Sequence, residues 1–60
     1  MLEADIKYEG AHFFVIFNAG LHRFEVCKNE ATHSRVVGYG DSLDACIRTA
    51  KRLEAYPNAV

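Results

Sequence analysis

Phe13-Phe14-Val15-Ile16-Phe17 decides how this chain folds. Side chains alternate sides along a strand, so five large apolar residues in a row predict a strand that is apolar on both faces. Such a strand normally lies between two layers. Downstream, only the segment from Ser42 to Ala55 has a helical pattern long enough to make a layer: Leu43, Cys46, Ile47, Ala50 and Leu53 form one apolar stripe. One helix covers one face of a sheet. The other face is left for a partner.

The rest of the chain builds outward from that strand. Leu2, Ala4, Ile6 and Tyr8 alternate with Glu3, Asp5, Lys7 and Glu9, the pattern of a half-buried strand. Gly10-Ala11 suits a two-residue turn, which sets Tyr8 opposite Phe13 and Ile6 opposite Val15. Further strands are predicted over 22–28 and 35–39, with Gly38-Tyr39-Gly40 read as flexible backbone at the corner before the helix. Asp41 is the expected N-cap, Asp44 puts negative charge in the first turn, and Pro57 ends the helix. The fold class is therefore α+β: a single domain over 1–60, an antiparallel meander of three to four strands with one C-terminal helix on one face.

Register determines which surface is free. A three-residue loop at Asn18-Ala19-Gly20 would place Arg23 and Glu25 among the apolar residues. A four-residue loop, Asn18 to Leu21, pairs Phe17 with His22 and puts Phe24 and Val26 there instead. Burial outweighs turn preference in setting register. The expected core face is Ile6, Tyr8, Phe13, Val15, Phe17, Phe24 and Val26. The opposite face centres on Phe14 and Ile16, ringed by Asp5, Lys7, His12, Arg23, Glu25 and Cys27.

Composition narrows the function. Sixty residues, half of them hydrophobic, approach the lower size limit for a core without staples. The net charge of −1 gives no electrostatic reason to expect nucleic acid or an acidic membrane. The longest apolar run is too short to span a bilayer and no signal-peptide pattern opens the chain, so a cytoplasmic protein is expected. Cys27 and Cys46 are then reduced, buried small hydrophobes. His12, His22 and His33 match no zinc spacing and are expected to be solvated. Ser34 and Ser42 lack a nucleophile context, and Gly38-Tyr39-Gly40 lacks the Lys-Ser/Thr ending of a phosphate loop. No enzymatic activity, cofactor or metal is expected.

The candidate partner-binding residues are Phe14, Ile16, Arg23 and Glu25 on the open sheet face, with Arg48, Lys51 and Arg52 on the outer face of the helix. The first set has the apolar centre and polar border of a protein interface. The second would meet an acidic patch or phosphate, although cations also suit the last turns of any helix. A homodimer is expected, either through the open face or through an edge strand at 35–39.

Two family resemblances arise at the sheet-to-helix corner. Gly40-Asp41-Ser42-Leu43-Asp44-Ala45-Cys46-Ile47, followed by Ala50-Lys51, resembles the Gly-Asp-Thr-Leu-Glu-Glu-Ala-Leu run of HicB-type antitoxins, over about a third of the chain. That resemblance implies a small sheet-and-helix domain that binds and silences a protein partner. Val37-Gly38-Tyr39-Gly40-Asp41-Ser42 also resembles the AP2 and integrase arm-binding domains, which implies a three-stranded sheet reading the major groove. Lys7 and Arg23 would serve that role, but Asp5, Glu25 and an apolar centre share the face. The expected function is a non-enzymatic protein-binding module, an inhibitor that occludes its partner as antitoxins and phage-encoded anti-CRISPR proteins do. The alternatives are DNA binding through the sheet and an obligate homodimer of structural role.

Overall fold

The computed structural model describes residues 5–60, and of Asp5 only the backbone. The expected strand residues Leu2 to Ala4 lie outside that range. Four strands, β1 (Asp5–Glu9), β2 (Phe13–Asn18), β3 (Arg23–Asn29) and β4 (Ser34–Gly40), form one antiparallel sheet in the order β1-β2-β3-β4. A helix, α1 (Leu43–Glu54), packs on one face, and a short 3-10 turn follows at Pro57–Ala59. The α+β meander with one covering helix is the architecture the sequence predicts.

The core lies between sheet and helix. Phe13, Val15 and Val26 from the sheet meet Cys46 and Ala50 from α1, all buried, with Tyr8, Phe24, Val37, Leu43, Ile47 and Leu53 packed around them. The helical stripe is the expected one. Its cap is not: Ser42, rather than Asp41, is the N-cap, and its hydroxyl accepts from the Ala45 N–H at 3.2 Å. Hydroxyl and carboxylate caps have similar preferences, so neighbouring Asp and Ser leave the choice to the geometry of the preceding strand.

Two registers differ from expectation. β2 and β3 are joined by a four-residue loop, but it spans 19–22, and Phe17 pairs with Phe24 instead of His22. The slide is by an even number of residues, so the face assignments survive. The Asn18 side chain accepts from the Leu21 N–H at 3.1 Å, and His22 takes the left-handed conformation (φ 56°). Histidine tolerates that region better than most residues.

The β1–β2 register does exchange a side chain between faces. A bulge at Lys7, between Ile6 and Tyr8, pairs Tyr8 with Val15 and Ile6 with Ile16. Ile6 therefore leaves the core face and stands 48 % exposed on the other. A one-residue offset always moves a side chain across a sheet. The tight Gly10-Ala11 turn is replaced by a three-residue connection, closed by Gly10 N–H donating to the Phe13 carbonyl at 2.7 Å.

That connection is tied to the helix. Glu54, at the end of α1, accepts from the His12 N–H (2.8 Å) and the Phe13 N–H (2.9 Å), and its other oxygen lies 2.9 Å from His12 Nδ1. His12 is thus bonded rather than merely solvated. Gly10 leaves the space: a Cβ there would sit 2.6 Å from Glu54 Oε2. The bond from the His12 backbone, then the histidine ring and the Phe13 amide, hold the Glu54 carboxyl below its ordinary value.

Candidate protein-binding face

The face opposite the helix is built by cross-strand neighbours. Phe14, Cys27 and Val36 form one row across β2, β3 and β4. Ile6, Ile16, Glu25 and Tyr39 form the next, and Asn18 and Arg23 the last. Phe14 and Ile16 are half-buried by their neighbours, and among the described residues no element packs over them. Val36 and Tyr39 are exposed. Of the expected residues, Phe14, Ile16, Arg23 and Glu25 do converge here.

Glu25 departs from expectation in its burial. The sequence pattern puts it at the polar rim, yet it is 4 % exposed. Arg23 covers it: Nε and an outer guanidinium nitrogen reach Glu25 Oε2 at 3.0 and 2.9 Å. The Arg23 guanidinium in turn lies 3.9 Å from the centroid of the Tyr39 ring. A planar cation over an aromatic face is attracted by the ring quadrupole, so carboxylate, guanidinium and phenol form one stack. Pairing is what makes burial of the carboxylate tolerable. Beside it, Cys27 is buried, and its thiol is pushed up from its ordinary value by burial and then by the Glu25 charge. That keeps the thiol protonated and a poor nucleophile.

Tyr39, Val36 and Ile6 are the members of this face that sequence reasoning missed. The reason for the first two is a bulge in β4, where Val37 is the extra residue between the Cys27↔Val36 and Val26↔Gly38 pairs. Val37 turns to the core, and Val36 and Tyr39 share the open side. Simple alternation would have separated them. Gly38-Tyr39-Gly40, read as a corner, lies within the strand.

Arg48, Lys51 and Arg52 are exposed on α1, on the other side of the slab. Lys51 Nζ lies 6.0 Å from the centroid of the Tyr8 ring. The two sets of candidate residues therefore sit back to back, and one flat partner surface cannot touch both. An open cleft of about 460 Å³, lined by Phe17, His22, Arg23, Phe24 and Asp41, flanks the Arg23 end of the sheet.

Both cysteines are free. Among the described residues, no group of three or more His, Cys, Asp or Glu side chains is placed to hold a metal ion. No helix among them is long and apolar enough to cross a membrane. No protein-family model, curated protein or solved structure matches the chain.

Proposed function

We propose that this protein is a non-enzymatic protein-binding module that occludes a partner with its open sheet face. The observation that carries the reading is the uncovered apolar surface of Ile6, Phe14, Ile16, Val36 and Tyr39 on a sheet whose other face already holds the helix. Contiguous apolar surface of this kind marks an interaction site. Phe14 and Ile16 supply the anchor, and the Arg23–Glu25 pair supplies orientation. The mode of action is that of small inhibitors such as HicB-type antitoxins or phage-encoded anti-CRISPR proteins. The cytoplasm, a reducing compartment, suits two free buried cysteines.

The helix cations form a separate contact, suited to an acidic surface and acting on association rate more than on affinity. DNA binding through the sheet is the weaker reading. Among the described residues, the one arginine on the open face is already engaged by Glu25, and phosphate neutralisation dominates DNA affinity.

The test is capture from a lysate of the source cells with tagged protein, followed by mass spectrometry. A protein captured by the wild type should be lost with Phe14→Glu and retained when Arg48, Lys51 and Arg52 are all changed to Gln. A nanomolar, sequence-selective duplex DNA complex that is lost with Arg23→Ala would overturn the reading.

A further inference from the structure

We infer that a second copy of this chain occupies the open face when no other partner does, in a two-fold dimer that sets the Arg23–Tyr39 stack of each copy on the Phe14–Cys27–Val36 row of the other. The inference uses the same face as the proposed function, but it needs no foreign partner, and the two occupants would compete.

The sheet edges direct association to the face. β1 carries a bulge at Lys7 and β4 carries one at Val37. Each bulge breaks the ladder and twists the strand, which hinders addition of a further strand at that edge. The edge pairing expected at 35–39 is thus disfavoured by the geometry of the strand itself.

The face has enough area. The molecule is a slab of 29 × 26 × 15 Å, so its broad side measures about 750 Å², close to the roughly 800 Å² per partner of a standard interface.

The face is also self-complementary. At one end the guanidinium of Arg23 stacks on Tyr39, a side chain 67 % exposed, and makes a raised feature. In the next row Phe14 and Val36 flank Cys27, a small, buried side chain between two larger apolar ones. Arg23, Glu25 and Cys27 are successive same-side positions on β3, about 7 Å apart. A two-fold axis in the interface, running across the strands midway between the Phe14–Cys27–Val36 and Ile16–Glu25–Tyr39 rows, exchanges the two rows and sets each Tyr39 opposite the partner copy's Val36. Each stack then covers the partner copy's row, twice over, as an isologous interface requires. The arginine entering the interface brings its own counter-charge at 2.9 Å, so no net charge is buried.

The experiment uses the purified chain. Sedimentation equilibrium should give a monomer–dimer equilibrium in the micromolar range, and Val36→Glu should raise the dissociation constant at least tenfold. Isotope-filtered NOE spectra of a mixed labelled and unlabelled sample should connect the Tyr39 ring of one copy to the Val36 methyls of the other. Should Val36→Glu lose its native spectrum, Val36→Thr is the second variant. It keeps strand preference and should still weaken the dimer several-fold. A wild type monomeric at hundreds of micromolar overturns the inference, as does a dimer indifferent to both variants or one whose NOEs run between β4 backbones. Self-association and partner capture fail separately. A monomer whose captured protein is lost with Phe14→Glu refutes only the dimer. A dimer with Tyr39–Val36 contacts, whose captured protein survives Phe14→Glu, refutes only the proposed function.

Discussion

Val15 and Val36 allow one chemical change to be made on both sides of the same sheet. Val15 is fully buried against the helix and Val36 is 47 % exposed on the open face. Each valine-to-alanine change deletes the same two carbons and sacrifices the same strand preference, so the difference between them isolates burial. At Val15 the transfer term is about 0.8 kcal/mol per carbon, or about 1.6 kcal/mol. The unfilled space in a core this small brings the total to about 2–3 kcal/mol. At Val36 the cost is about 0.5 kcal/mol, mostly strand preference. A sixty-residue domain has about 3–9 kcal/mol in all, so Val15→Ala removes a large share of it. Urea unfolding followed by far-UV circular dichroism, at a protein concentration well below the dimer dissociation constant so that the chain is monomeric, is the assay. With a slope of about 1 kcal/mol/M, the midpoint should fall by about 2–3 M for Val15→Ala and by about 0.5 M for Val36→Ala. Equal shifts, or a larger one at Val36, would mean that the helix does not cover the Val15 face, and the description of both faces would fall with it.

Arg23→Ala should cost about 1–3 kcal/mol because it strands a buried carboxylate, whereas Arg23→Met with Glu25→Val should be close to neutral in stability; thermal melts of the three chains decide it. Glu54, held below its ordinary value by the β1–β2 connection, contributes stability that is fully present above the ordinary carboxylate range and lost as pH falls through its lowered value. The stability difference between wild type and Glu54→Gln should therefore shrink as pH falls below about 5; a difference that does not shrink before acid unfolding would refute the clamp. Gly10→Ala should lower the melting temperature more in the wild type than in a Glu54→Ala background, since the tightest contact of its Cβ is with that carboxylate; additive effects would show that the collision is relieved elsewhere. Duplex DNA should bind no tighter than the non-specific range of roughly micromolar at physiological salt, measured by fluorescence anisotropy.

Several features were legible in the residues alone because they depend on periodicity. A five-residue apolar run demanded two covered faces, an apolar stripe at helical spacing supplied one cover, and the shortage of a second left Phe14 and Ile16 half-buried on the open face. The placing of Arg23 and Glu25 off the core face followed from the cost of burying them there, although the loop lies one residue further along and pairs Phe17 with Phe24 rather than His22. What escaped depends on single-residue irregularities and on distant contacts. The bulges at Lys7 and Val37 break alternation without any marker in the local sequence, and they alone placed Ile6, Val36 and Tyr39 on the open face. Glu54 reaches an amide pair forty-two and forty-one residues away, and no pattern along the chain records that distance. The burial of Glu25 followed from neither polarity nor spacing. It required Arg23 to fold back over the carboxylate and Tyr39, from another strand, to hold the guanidinium in place. Periodicity assigns a residue to a face, but only the packed neighbours decide what that face presents, because burial of a charge depends on a partner that sequence distance does not reveal.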